Sequence, residues 1–261
     1  MDKSIEGIPT ISASKLKTYK TCQKQYYNKY IVAKEDRTQE QKNVAALLGS
    51  ALHKAIEEKY KSGKSPTGIF QGYMSDKIVE WEAAGYEIKM LDYYSRAIIV
   101  GKGILKDFPW DMFNPIELEY AFTLPFPNKE NPIVNITGLI DMIDMNGSVI
   151  DHKSATYAPN VDDVSNDAQF LIYAFAYEQI HGVRPYKVIW NHLRTNRQIE
   201  ADIYNNYQDK LDQLTNDIEA MIHNKYFARI NSGNICRTQC SFYQQCYGAA
   251  NTSVTEDVIE E

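Results

Sequence analysis

Between residues 133 and 155 the spacing of apolar side chains shortens to about two: IVNITGLIDMID and SVIDHKSA are separated by Asn146-Gly147. That period belongs to strands with a packed face, and an Asn-Gly pair between two such runs marks a hairpin. The fold must therefore hold a sheet built around this hairpin. IELEYAF at 116–122 adds a strand before it, and KVIWNHL and QIEADIY, on either side of Thr195 and Asn196, add two more after it.

The remaining periodic stretches read as helices. Residues 12–30 begin at an N-cap, Ser12 or Ser14, and turn Leu16, Tyr19, Cys22, Tyr26 and Tyr30 to one side. Further helices are expected over about 44–61, 68–84, 86–107, 164–181 and 205–226, with Pro109 and Pro115 bounding the change to strands. Helices on both sides of a strand cluster predict an α/β or α+β sandwich, a mixed central sheet flanked by helices. With 261 residues and 44% apolar content, the chain can bury one core. One domain is expected over 1–248, with a helical part at 44–107 and a sheet-bearing core at 115–226. A polar, Gln-rich stretch, 34–43, joins the first two helices, and the acidic tail 249–261 is expected to be disordered.

No run of 18 apolar residues occurs, and MDKSIEGIPT has charges where a signal peptide is apolar, so a cytoplasmic chain with no membrane partner is expected. The net charge of −6 includes Glu256, Asp257, Glu260 and Glu261 of the tail, which leaves about −2 for the body. Where the basic residues cluster matters more than the total. Lys17, Lys20 and Lys24 fall at i, i+3 and i+7 among tyrosines, a candidate path for nucleic acid, or else a solvated helix face. There is no GxxxxGK[ST] loop, so any helicase or recombination partner is a separate protein. Oligomeric state is not legible.

Asp141, Asp151 and Lys153 are the hairpin's odd residues. A two-residue turn on Asn146-Gly147 would put Asp141 and Asp151 on opposite faces. A three-residue loop, Met145 to Gly147, with Gly147 left-handed in a G1 bulge, sets Asp141 across from Asp151 and turns Lys153 to the same face. We expect that register. Two facing carboxylates repel unless a cation lies between them. Oxygen ligands suit Mg²⁺ or Mn²⁺, which could hold a phosphate and acidify a water while Lys153 stabilises developing negative charge. The plain alternative is a solvated surface hairpin.

Read in order, LLGSALHKAIEE (Gly49, His53), GLIDMID (Gly138, Asp141), VIDHKSA (Asp151, Lys153) and QFLIY (Gln169, Tyr173) resemble the RecB-like branch of the PD-(D/E)XK nuclease superfamily. The resemblance implies a restriction-endonuclease-like core. It also implies a metal held by His53, Asp141, Asp151 and the His152 backbone carbonyl, and a catalytic Lys153. From spacing alone His53 could equally be a core histidine between Leu52 and Ile56. Gln169 and Tyr173, at i and i+4, share a helix face and could bond a site carboxylate, Lys153 or the nucleic-acid backbone, or could simply pack. Glu119 is a weaker candidate, expected on an exposed edge strand.

Cys22 lies far from Cys236, Cys240 and Cys246. The set resembles RecB-like exonucleases of the AddB and CRISPR-associated types, whose four cysteines hold a [4Fe–4S] cluster, although here three residues, Arg237 to Gln239, separate the second and third cysteines. By that resemblance 12–30 and 231–248 form a cluster-binding region, with structural Zn²⁺ or unliganded thiols as alternatives. The implied function is a metal-dependent DNA exonuclease acting on single strands or duplex ends, in recombination, repair, phage DNA metabolism or CRISPR adaptation. A non-cutting DNA-end-binding subunit and an endonuclease of the same fold are the alternatives.

Overall fold

The computed structural model describes residues 7–32, 44–85, 91–230, 236, 240 and 242–247. The polar stretch at 34–43 and the acidic tail lie outside the described residues. A short strand β1 (Thr10–Ser12) runs into α1 (Ala13–Thr21), α2 (Gln23–Tyr26) and a π-helical turn (Tyr27–Val32). Three longer helices follow, α3 (Val44–Ser62), α4 (Pro66–Ala83) and α5 (Leu91–Asp107). Then come β2 (Pro115–Phe126), β3 (Val134–Asp144) and β4 (Val149–Lys153). The helices α6 (Val161–Ser165) and α7 (Ala168–His181), strands β5 (Val188–His192) and β6 (Arg197–Glu200), and α8 (Tyr207–Ile222) complete the order before a helical turn at Tyr243–Tyr247.

The chain divides into two compact units, one of residues 1–41, 122–138 and 206–261, the other of 42–121 and 139–205. The second carries a mixed sheet: β3 pairs antiparallel with β4, β4 parallel with β5, and β5 antiparallel with β6. One face presents Met142, Ile150 and Ile189 to Leu48, Leu52, Ile56, Phe70, Met74 and Leu105 of α3 to α5. Each fully buried side chain of this kind contributes about 1.5–3 kcal/mol relative to exposure. Helix α7, buried from Phe170 to Tyr177, packs on β4 and β5 and reaches the opposite-parity side chains. Helices thus flank the sheet, as the two periods require. The helix expected at 164–181 is two helices, because Asn166 ends α6 and Asp167 caps α7, accepting from the Gln169 N–H at 2.9 Å.

In the first unit β1, too short to show a period, pairs parallel with the start of β3, Ile11 opposite Ile136. Helix α8, expected within the catalytic core, packs on α1 instead: the Tyr19 hydroxyl donates to the Ala220 carbonyl at 3.2 Å, and Lys20 pairs with Asp217 at 2.7 Å. The helix expected over 12–30 breaks at Cys22, which is extended at φ −160°, ψ 111°. The Cys22 sulfur accepts from the Gln25 N–H at 3.4 Å, and the Lys24 N–H bonds the Ala228 carbonyl at 3.0 Å rather than the preceding turn. The break removes the lysine stripe. Lys24 no longer continues the row of Lys17 and Lys20; its ammonium lies over the Tyr27 ring, 4.7 Å from the centroid.

Candidate active site

The β3–β4 hairpin takes the three-residue loop. The Gly147 N–H donates to the Asp144 carbonyl at 2.8 Å and the Asp144 N–H to the Ser148 carbonyl at 2.9 Å. Gly147 has φ 80°, where a side chain is strained, and a Cβ there would also lie 2.9 Å from the Tyr177 hydroxyl. Met142 faces Ile150 and Ile143 faces Val149. Carried one step on, that register sets Asp141 opposite Asp151, as expected from the turn.

Both carboxylates are buried, Asp141 8% and Asp151 1% exposed. Asp141 Oδ2 accepts from the His152 N–H at 2.6 Å, and Oδ1 lies 3.3 Å from His53 Nδ1. His53 Nε2 donates to the His152 carbonyl at 2.8 Å. Its neighbours Leu52 and Ile56 enter the core, whereas the His53 ring stands at the rim and bridges the two groups expected to share a cation with it. Burial opposes the imidazolium, yet Asp141, Asp151 and Glu119 outweigh that and raise its pKa to about 9. Burial likewise works against the Asp141 carboxylate, but His53 and then Lys153 hold its pKa below the usual value.

Asp151 goes the other way. Burial, then the charge of Asp141, pushes it up to about 7. Its Oδ1 accepts from the Gln169 amide at 2.9 Å, and its Oδ2 is 2.7 Å from Lys153 Nζ. That short ion pair is the partner of a fully buried carboxylate oxygen. Burial disfavours the Lys153 charge, but Asp151 and Asp141 offset this and raise its pKa. The Tyr173 hydroxyl accepts from Gln169 at 2.7 Å and donates to the Leu139 carbonyl at 2.6 Å, so the two residues on α7 brace β3 and β4 together. The His152 ring takes no part: Asn191 donates to its Nδ1 at 2.9 Å, Phe108 and Phe113 pack edge-on, and burial lowers its pKa to about 4.

The structure brings His53, Asp141, Asp151, the His152 carbonyl, Lys153, Gln169 and Tyr173 together. Among the described residues, the ligand atoms that all lie within 4.8 Å of one another belong to His53, Glu119 and Asp141, and Asp151, expected as a ligand, is outside that group. Glu119 is therefore no exposed edge-strand residue. It is half-buried, 3.8 Å from His53 Nδ1, and φ 51° turns it out of the strand's alternation. A strained non-glycine conformation of this kind is held by surrounding structure and tends to occur at functional positions. In IELEYAF nothing distinguishes Glu119 from Glu117, which has the same parity; only its backbone conformation does. This carboxylate and imidazole set, with the Asp151 carboxylate beside it, offers the oxygen and nitrogen donors that suit a hard divalent ion.

In the other unit Cys22, Cys236, Cys240 and Cys246 line one small cavity together with Gln25, Arg229, Ile230, Tyr243 and Tyr247. All four are free thiols. Burial first, then neighbouring cysteines, raises the pKa of Cys240 and Cys246, so ionising them together requires a cation.

The model of the PD-(D/E)XK nuclease superfamily matches residues 10–247. The chain belongs to this superfamily. PD-(D/E)XK nucleases use divalent metals and act on nucleic acid, which agrees with the donor set above. A search of the curated proteins finds no match. Among solved structures, the crystal structure of a "putative exonuclease" from Eubacterium rectale matches with a TM-score of 0.56 at 13% identity. The match covers 96% of this chain and 91% of that one, a likeness of fold. Among the described residues, no helix is long and apolar enough to cross a membrane.

Proposed function

We propose that this PD-(D/E)XK nuclease is a metal-dependent DNA exonuclease acting on single strands or duplex ends. The observation that carries the reading is the buried pair Asp141 and Asp151, facing each other with His53 on one side and Lys153 on the other. Nothing in packing favours two carboxylates and an ammonium at the centre of a sheet. His53, Asp141, Asp151 and the His152 carbonyl would hold Mg²⁺ or Mn²⁺, with Glu119 adjoining.

When bound, the ion supplies Lewis acidity toward a phosphodiester and its attacking water. Asp141 keeps its orientation through the His152 N–H, and Asp151 through Gln169. Lys153 presents a positive charge to the phosphoryl oxygens as they gain charge. Tyr173 fixes the strand that carries Asp141 by holding the Leu139 carbonyl. The test is Mn²⁺-dependent digestion of labelled DNA by wild type beside Lys153→Ala, with a circular single strand to separate exonuclease from endonuclease. Loss of about 10²-fold or more in the variant, with the circle intact, is expected. No degradation by the wild type would leave a non-cutting DNA-end-binding subunit as the better account, and equal degradation by both proteins would mean that the digestion does not come from the proposed centre.

The four thiols are proposed to hold a [4Fe–4S] cluster, with structural Zn²⁺ as the alternative. Their convergence from Cys22 and from 236–246 supports a staple across the ends of its unit. A separate helicase or recombination protein would present the DNA.

A further inference from the structure

A cleft of about 330 Å³ borders the proposed ion site, lined by Gly49, Ser50, His53, Lys54, Glu57, Tyr73, Glu119 and Leu139. We propose that it receives one unpaired nucleotide, the base packing between Tyr73 and Leu139. The proposal rests on the nuclease reading and narrows its substrate to single strands or unpaired ends.

The lining separates by chemistry. His53 and Glu119 belong to the ion-binding group. Lys54 is held by Glu57 at 3.0 Å and Glu58 at 2.9 Å, and Lys61 holds Glu57 from the other side at 2.6 Å. These pairs leave little net positive charge in the cleft to attract a phosphate away from the ion. Gly49 and Ser50 project little side chain, which leaves the surface of α3 open as a floor.

Leu139 and Tyr73 are the apolar part. Leu139 is 43% exposed, although Ile140 and Asp141 beside it are buried. It lies two positions before Asp141 on β3, so both side chains leave the same face of the strand, about 7 Å apart along it. The Tyr173 hydroxyl donates to its carbonyl at 2.6 Å, which holds the backbone that carries this apolar side chain. Tyr73, on α4, is half-buried against the helical core and presents its ring to the cleft.

An apolar surface beside a site for charged phosphate is suited to the uncharged part of a nucleotide. The volume is at the lower end of small-ligand pockets, about 300–1,000 Å³, which suits one nucleotide and not a base pair. A base inside a duplex keeps both faces in its stack and must leave it before it can enter. Base–aromatic contact is worth about 1–3 kcal/mol, roughly five- to hundredfold in affinity.

The test measures fluorescence anisotropy of the full chain with a labelled single-stranded oligonucleotide, using Ca²⁺ in place of Mg²⁺ to stop turnover. A second oligonucleotide carries abasic units at both ends. Tyr73→Ala is expected to weaken binding of the normal strand by roughly five- to hundredfold, Leu139→Ala by about fivefold or more through lost apolar contact, and Tyr73→Phe to retain it. On the abasic-ended strand the wild type should bind as weakly as the variants. A merely structural role would weaken both strands equally. If Tyr73→Ala does not fold, exposed Leu139→Ala carries the comparison. Variants that bind both strands like wild type, equal losses on both, or a wild type without saturable binding would each overturn the pocket. Digestion in Mn²⁺ is scored separately: binding as expected without cutting would sink the nuclease reading and leave the pocket standing.

Discussion

An ion held by His53, Asp141 and Asp151 must displace protons, and their number follows from the geometry. In the metal-free protein Asp141 and its neighbours keep His53 protonated to about pH 9. Burial and the Asp141 charge keep Asp151 protonated to about pH 7. Asp141 is already ionised. Ligands bind a metal in their deprotonated forms, so binding should release about two protons well below pH 7, about one between 7 and 9, and none above. The logarithm of the affinity should climb with matching slopes, which gives about three decades between pH 6 and 8, or about 4 kcal/mol. Calorimetric titration with Mn²⁺ in buffers of different ionisation enthalpy reads both the constant and the protons. His53→Ala should lower the slope by about one unit between pH 7 and 9. An affinity flat from pH 6 to 8 would refute the ligand set. The same shifts set the stability of the metal-free fold. The Asp151 contribution is present below about pH 4 and lost as pH climbs to about 7; that of His53 is present below about 6.5 and lost by about 9. His152, held down to about 4 by burial, contributes in the opposite sense between pH 4 and 6.5, so urea midpoints in EDTA should stay nearly level to about pH 6.5 and fall from there to 9.

Glu119→Gln should weaken Mn²⁺ binding by about tenfold or more at constant pH, since the carboxylate stands beside His53 and Asp141; an unchanged constant would make it a bystander. Tyr173→Phe strips the Leu139 carbonyl of its donor and should cost about 1–3 kcal/mol in urea unfolding while slowing digestion. Gly101→Ala would place a Cβ 2.1 Å from Phe70 Cζ where α4 meets α5, so a loss of about 1–3 kcal/mol is expected, and a wild-type midpoint would show that the ring yields freely. Anaerobically purified protein should be brown, with a broad band near ~400 nm and iron that Cys22→Ser removes; colourless protein with stoichiometric zinc would put zinc in its place.

The hairpin register was legible because two local facts agree. A period of two needs Asp141 and Asp151 at matched parity, and a glycine at 147 accepts the φ of 80° that the three-residue loop demands. The pairing of Gln169 with Tyr173 was legible for a similar reason, since i and i+4 share a helix face whatever surrounds them. His53 was not settled by spacing: its place among Leu48, Leu52 and Ile56 suits a core residue equally well, and only the packing of α3 sets the ring at the rim beside Asp141. Glu119 was undervalued because parity treats it like Glu117. The run of 12–30 misled in the opposite direction, since helical spacing continued through a residue whose thiol and backbone are drawn elsewhere.

Most elements and the local order of the chemistry are readable along the chain, because hydrophobic period, turn residues and i, i+4 spacing act over a few residues; β1 and the break at Cys22 are not, because both depend on partners far away in the chain. Tertiary structure alone decided which ionisable groups share one dry space. The raised pKa values of Asp151 and His53, the left-handed Glu119 and the gathering of Cys22 with Cys236, Cys240 and Cys246 all depend on approach and desolvation between residues far apart in the chain. Electrostatic energy depends on distance and surrounding dielectric, neither of which is written in the order of residues.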